Sequence, residues 1–286
     1  MAMTEGRSLL VFVHINKTAG TTLRYILRSS YGSRHCDVEP WHAPWSDPPF
    51  SSQDLRRVRR LYPRLASIAG HRITGWVDLE EPGTDLRYLT FLREPLALCA
   101  SRFQYQLEYR KKRDLVFEDW IRNDWVRDAQ TQRLGGTTDP GDAIDAIARK
   151  GMFVGLTEHF DESIVMLQHL RAPDLDIRYA PRNVARGSNV AKRLLDDPGT
   201  RRMLVDANRG DLELYRHVLE DVFPAQRRAF GPSLDARVAE HRDRGDARYR
   251  RVHLAMYGLK QRAVLKPSLR LYRGPRTGRL VRSVLG

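Results

Sequence analysis

His14-Ile15-Asn16-Lys17-Thr18-Ala19-Gly20-Thr21-Thr22 puts a lysine, a glycine and three threonines into one short turn. The turn follows an apolar run and opens a helical pattern, which is the layout of an anion cradle. Backbone amides converge there, the helix dipole adds partial positive charge, and Lys17 adds a full one. Phosphate or a phosphate-like group is the natural ligand; the pattern alone leaves open an ordinary strand-to-helix turn with a surface lysine. It is not the GxxxxGK[ST] loop of nucleoside triphosphatases, because Lys17 precedes Gly20 and no glycine opens the turn. His35, Cys36, Asp37 and His42 are metal-ligating types, but their spacing fits no standard zinc site and a surface loop is the simpler reading. Cys36 and Cys99 cannot build a disulfide framework and form no CxxC pair, so a reducing compartment is expected.

Elements must position these groups. Ser8 to Ile15 reads as a buried strand, and Leu23, Ile26, Leu27 and Tyr31 recur at helical spacing after Thr21-Thr22. Residues 32–53 show no period and read as a long loop holding Trp41, Pro44, Trp45, Pro48 and Pro49, packed on the body or stacked on an acceptor. Further strands are predicted over Leu65–Ala69, Tyr88–Leu92, Met152–Leu156 and Ile177–Ala180. Pro95 fits the first turn of a helix with the stripe Leu96, Cys99, Ala100, Phe103 and Leu107. More helices are predicted near Phe117–Asn123, Asp142–Lys150, from a cap at Asp161, over Val190–Leu195 and over Asp211–Phe223. Strands alternating with helices imply an α/β fold with a mainly parallel sheet, whose ligands sit at the carboxyl ends of the strands.

With these elements in place, Phe12 to Leu23 resembles the 5′-phosphosulfate loop of sulfotransferases that use 3′-phosphoadenosine 5′-phosphosulfate (PAPS), in the branch of heparan sulfate 2-O-sulfotransferase. Thr90-Phe91-Leu92-Arg93-Glu94-Pro95, continuing through Ser101-Arg102-Phe103, resembles that family's 3′-phosphate motif. Phe153 to Ser163 and Asp211 to Tyr215 resemble two downstream stretches, so four motifs lie in register over roughly residues 8–223. The resemblance implies a P-loop-like three-layer fold with a mainly parallel central sheet flanked by helices. It implies a PAPS-dependent domain over residues 1–230, followed by a basic C-terminal extension over 231–286.

The same resemblance implies roles. Lys17 contacts the bridging oxygen and 5′-phosphate. The backbone of Thr18, Ala19, Gly20, Thr21 and Thr22, with the threonine hydroxyls, holds that phosphate, and Arg93 and Ser101 bind the 3′-phosphate. His71, after Gly70, falls at the family's catalytic-base position, and an imidazole suits that task. His14 is expected to pack or orient the cradle and His159 to start a helix. Gln130 to Leu134 resembles a stretch lining the acceptor side, with Asp128 where an Asn usually stands, and Arg186-Gly187-Ser188 resembles a cofactor-clamping turn. The implied reaction moves a sulfuryl group in line from PAPS to a hydroxyl of a carbohydrate, glycolipid or other alcohol, without metal. The alternatives are a P-loop kinase and a non-enzymatic adaptor for anionic surfaces.

Composition bounds the whole. With 286 residues and 41% hydrophobic content a full core is available, and the net charge is +14. Ala247 to Gly286 holds eleven Lys or Arg and no acid, which leaves the first 246 residues near +3. A helix through Arg248, Arg250 and Arg251 is predicted to end at Pro267. Arg270, Arg273, Arg276, Arg279 and Arg282 then form a separate basic segment, either solvated or docked on an anionic membrane. No specific nucleic-acid contact is expected. Leu9–Val13 is too short for a signal-peptide core, no run approaches a membrane span, and a soluble, cytoplasmic protein is the expectation.

Overall fold

In the computed structural model, residues 7–39, 41, 48–108, 110, 114–180, 189–243 and 249–273 are described. Five strands, β1 (Arg7–Val13), β2 (His35–Asp37), β3 (Ser67–Gly70), β4 (Thr84–Leu92) and β5 (Phe153–Leu156), pair in the order β2-β3-β1-β4-β5. Every pairing is parallel, so all carboxyl ends meet at one edge. The central strand β1 is buried from Leu9 to Val13, as a continuous apolar run between two neighbours should be.

Helices flank this sheet. They are α1 (Gly20–Tyr31), α2 (Ser52–Leu61), α3 (Pro95–Glu108), α4 (Phe117–Trp120), α5 (Ala129–Gly135), α6 (Pro140–Arg149) and α7 (Phe160–Leu170). After them come α8 (Val190–Asp196), α9 (Pro198–Ala207), α10 (Arg209–His217), α11 (Phe223–Phe230), α12 (Leu234–Asp243), α13 (Arg251–Lys260) and α14 (Lys266–Arg273). The predicted stripe of α3 buries Leu96, Cys99, Ala100 and Phe103 in a satellite core with Phe117, Trp120 and Leu204. That packing turns Ser101 and Tyr105 the other way, toward the carboxyl edge of the sheet.

Several expectations are corrected. The loop predicted over 32–53 contains β2, a three-residue edge strand whose His-Cys-Asp sequence offers no apolar run to recognise. Within that loop Trp41 and Phe50 are buried in the core, while residues 42–47 lie outside the described set. Ile177–Ala180 is not a strand. Its surroundings are satisfied by side chains instead: Ser30 Oγ accepts from the Asp176 amide at 2.9 Å, and Tyr249 Oη donates to the Ala180 carbonyl at 2.9 Å. Asp161 does not cap α7; it sits inside the first turn and accepts from Tyr179 Oη at 2.6 Å and Arg242 Nε at 2.9 Å.

Pro267 does not end its helix. A wider π turn over Gln261–Leu265 precedes it, and α14 continues to Arg273 with Leu265, Leu269 and Tyr272 buried in the main core. Pro224 in α11 follows the same device, a π turn over Val218–Val222. A proline ring cannot pack against the carbonyl four residues back in a regular α-helix, and the widened turn moves that carbonyl away. Arg270 and Arg273 therefore stand on a helix docked to the body rather than on a detached segment. Arg276, Arg279 and Arg282 lie outside the described residues, as does Arg248.

Candidate active site

The strand register assembles the site. Val13 pairs with Gly70 on one side and Thr90 on the other, so the next residues of β1, β3 and β4 emerge side by side at the carboxyl edge. His14 and His71 thus stack with ring centroids 4.1 Å apart. Arg93, three residues beyond Thr90, reaches across to donate from Nη1 to the Lys17 carbonyl at 3.2 Å. Thr157 lies beyond β5 and is tied to the Leu92 carbonyl through its amide at 2.8 Å and its hydroxyl at 2.9 Å.

The cradle itself is a left-handed nest. Lys17 and Ala19 have φ of 70° and 58°, flanking Thr18, whose hydroxyl donates to the Ile15 carbonyl at 3.0 Å. Such conformations cost about 1–3 kcal/mol each and persist where surrounding structure holds them. The first bonds of α1 run from the Thr22 and Leu23 amides to the Ala19 carbonyl, so the amides of Gly20 and Thr21 precede the helix's own ladder. A Cβ on Gly20 would lie 1.9 Å from His14 Nε2, so this crossing requires glycine. His14 is buried with Nδ1 lacking a hydrogen-bond partner, and burial holds its pKa well below the usual value.

A cavity of about 890 Å³ opens over the cradle. Lys17, Thr21, Thr22, Arg93, Ser101 and His71 all line it, so the sequence-predicted site residues are brought together; Thr18 alone is fully buried beneath. The cavity also takes Arg24 and Arg110, which sequence reasoning did not single out, with Arg102 of the second motif and Arg133 of the Gln130–Leu134 stretch; among the described residues no carboxylate lines it. Burial, then Arg93, lowers the pKa of Lys17, whose Nζ lies 5.0 Å from the Tyr105 ring centroid. Burial likewise lowers that of Arg93.

His71 exposes its ring to this cavity while its Nδ1 lies 3.2 Å from the His14 carbonyl. The tautomer that donates there leaves Nε2 as a free acceptor. Partial enclosure by the cavity wall, reinforced by Arg24 and Arg133, pushes its pKa down to about 4 against the favourable His14 contact. The ring is therefore neutral near pH 7. Arg133 of α5 also donates to the His71 carbonyl and fixes the residue from that side.

A second cavity of about 350 Å³ adjoins the first and shares Asn16, Arg102, Trp125 and Arg133 with it. Trp76 and Trp125, 42% and 50% exposed, border it together with Pro49, Arg72, Thr74 and Gln132. Thr74 is buried and its hydroxyl has no partner. The stretch over Gln130–Leu134 therefore does border a cleft, through Gln132 and Arg133. Asp128, standing where an Asn was expected, is buried with φ 40° and accepts the Asp211 amide at 3.0 Å; its part is structural.

The two downstream motifs hold the upstream ones. Asp211 accepts from the Gln130 amide at 3.1 Å, the Thr131 amide at 2.7 Å and the Thr131 hydroxyl at 2.8 Å, and burial pushes its pKa up to about 6. Gln130 in turn brackets Arg93, accepting its amide and donating to its carbonyl, each at 3.0 Å. Glu158 accepts from Tyr215 Oη and from the Glu94 amide at 2.9 Å each, and the Glu94 carboxylate caps α3 through the Leu96 and Ala97 amides. His159 sits at the start of α7, beside Glu162 at 3.5 Å.

The metal reading of residues 35–37 gives way to an ionic hub. Asp37 is held far below the usual carboxylate range by His35, Arg24 and Arg28 against the cost of burial, and Tyr257 of α13 donates to it. His35 Nδ1 meets Ser67 Oγ at 2.7 Å. Among the described residues no group of three His, Cys, Asp or Glu is arranged to hold a metal ion. His42 and Arg186-Gly187-Ser188 lie outside those residues.

A parallel α/β sheet whose carboxyl edge carries a nested, cation-lined cradle is suited to a polyanionic ligand. By sequence, the mouse Galactose-3-O-sulfotransferase 3 is 27% identical over 210 residues, covering 63% of this chain and 48% of the relative. The human protein of that name is 27% identical over 212 residues, with the same coverage. The bovine one is 26% identical over 212 residues, covering 63% of this chain and 49% of its own length. The chain thus spans about half the length of the curated relatives it matches. No family model and no solved structure matches it. Over the matched stretch the chain is similar to these named sulfotransferases, and the similarity points to no particular branch, the heparan sulfate one included.

Proposed function

We propose that the chain is a PAPS-dependent sulfotransferase acting on a hydroxyl of a carbohydrate, free or carried on a lipid. The observation that carries this reading is the lining of the larger cavity: six cationic side chains, Lys17, Arg24, Arg93, Arg102, Arg110 and Arg133, face it, and among the described residues no carboxylate does, Glu108 and Glu158 acting on Lys17 and Arg93 from outside the lining. A donor with a 3′-phosphate and a 5′-phosphosulfate fits such a lining. A Mg·ATP site would need an acidic ligand there.

In this reading bound PAPS supplies the sulfuryl group. The nest of Lys17 to Thr22 takes the 5′-phosphate, and Arg93 with Ser101 takes the 3′-phosphate. The acceptor hydroxyl enters from the adjoining cleft, where Trp76 and Trp125 offer faces for a sugar ring. Its proton passes to His71 Nε2 as its oxygen bonds to sulfur. The bond from sulfur to the phosphate oxygen breaks, and Lys17 neutralises the charge left on that oxygen.

The test is thermal denaturation with nucleotides, followed by transfer from radiolabelled PAPS to a panel of galactosides and acidic oligosaccharides. Stabilisation by 3′-phosphoadenosine 5′-phosphate without magnesium, and a labelled sugar, are expected. Stabilisation by ATP with magnesium alone would replace the reading with a kinase. No nucleotide effect would leave an adaptor.

A further inference from the structure

Residues 251–273 form one rod, in which α13, the π turn over Gln261–Leu265 and α14 follow without a break. Its inner face is fixed to the body. Tyr257 donates to Asp37, His253 Nδ1 lies 2.7 Å from the Ser29 carbonyl, and Leu265, Leu269 and Tyr272 are buried. The opposite face is consequently held toward solvent. There Val252, Met256 and Leu259 follow at intervals of four and three residues, exposed by 70%, 46% and 68%. Ala255 and Ala263 are exposed on the same side. Single exposed apolar residues are ordinary, whereas three large ones on one helix face mark a contact surface.

The charge on the rod says what covers that surface. Residues 249–273 contain no Asp or Glu, and Arg251, Arg262, Lys266 and Arg270 are exposed with no carboxylate partner among the described residues. A partner must therefore be anionic and also offer an apolar layer within a side chain's length of its charges. Nucleic acid has the first property without the second, and the tyrosines that could stack on bases, Tyr257 and Tyr272, face inward. A bilayer rich in anionic lipid has both. No described helix is long and apolar enough to cross a membrane.

We propose that this face docks on an anionic membrane surface, with Val252, Met256 and Leu259 entering the headgroup boundary and Arg251, Arg262, Lys266 and Arg270 meeting lipid phosphates and carboxylates. None of these residues lines either cavity of the candidate active site, so the proposal stands apart from the transfer reaction.

Co-sedimentation of the full chain with phosphatidylcholine vesicles, with and without phosphatidylserine, tests it. Binding at least about tenfold stronger to the phosphatidylserine vesicles, and released by salt, is expected. Charge reversal by Lys266→Glu with Arg270→Glu should weaken binding about tenfold or more. So should Val252→Asp with Leu259→Asp, with the melting temperature of both variants unchanged because all four sites are exposed. In Leu259→Trp, the indole emission should shift to the blue when phosphatidylserine vesicles are added. Equal binding by the Val252→Asp, Leu259→Asp chain overturns the proposal, because simple polyelectrolyte adhesion needs no apolar face. An unshifted indole does the same.

Discussion

His71 carries two properties that pull against each other. Its Nε2 is free to accept a proton, yet the desolvation and neighbouring guanidiniums that keep the ring neutral also make it a weak base, with a pKa near 4. A nucleotide's negative charge in the same cavity would raise that basicity, so donor binding and base strength are coupled. His71→Ala is expected to lower transfer by about 100-fold or more while affinity for 3′-phosphoadenosine 5′-phosphate, read by calorimetry, changes by less than about twofold. The acidic limb of kcat/KM, which reports the free enzyme, should fall nearer pH 4 than 6.5; a limb at or above 6.5 would remove His71 as the titrating base. Lys17 is read differently. Lys17→Ala should cost about 100-fold in kcat, because its charge matters most as the leaving group departs. Arg72 borders the smaller cleft alone and touches Pro48, donating to its carbonyl at 2.7 Å, so Arg72→Ala should raise acceptor KM with donor affinity intact.

At the scale of elements, the site depends on a few junctions. Gly20 is where α1 passes over the His14 ring, and Gly20→Ala forces either the loop or the ring to move. Overpacking of this kind costs about 1–3 kcal/mol, so a melting temperature lower by about 2 °C or more is expected, with nucleotide affinity reduced because the nest is displaced. Asp211 pins α5 through three hydrogen bonds, and through Gln130 it pins Arg93. Asp211→Ala should destabilise by about 3 kcal/mol in denaturant titration and weaken donor binding although Asp211 lines neither cavity. The cradle was legible because nest, lysine and helix start are contiguous in sequence. Arg24 was not, since the pattern of α1 records its buried face and not what the opposite face meets, nor was Trp125, which stands in a turn between α4 and α5 where no period exists. Strand β2 escaped because three residues at an edge need no apolar run.

The whole molecule responds to pH through groups that it keeps neutral. His14, His35 and His71 all have folded-state pKa values below the unfolded one, chiefly through burial. Below about pH 6.5 the unfolded chain therefore binds protons that the folded chain refuses, and stability falls as pH falls. Asp211 acts oppositely: raised to about 6, it is protonated in the fold before it is in the coil, and stabilises as pH drops toward 3.8. Two carboxyls oppose, Asp211 and Asp128, which burial also raises, but the buried His14 and His35 with the more exposed His71 outweigh them, so calorimetry should find the melting temperature falling between about pH 7 and 5. The C-terminal helices matter at this scale too. Ending the chain after Gly245 would strip Leu265, Leu269 and Tyr272 from the core, each worth about 2 kcal/mol of burial. Such a truncation tests stability rather than membrane contact, which is why exposed point substitutions serve better.

What the sequence determined by itself was local: alternating strands and helices, the anion cradle with Lys17, the stripe of α3, and the concentration of charge after Ala247. Each is written within a dozen or so neighbouring residues, where period and spacing carry the physics. Tertiary structure decided what lies on either side of those residues. Parallel register set His71 against His14 and brought Arg93 to Lys17, while the exposed Glu158 holds the Glu94 amide and the buried Asp211, through Gln130, holds Arg93. It also turned much of the basic extension into two docked helices, because Leu265, Leu269 and Tyr272 find a core that only the folded body provides.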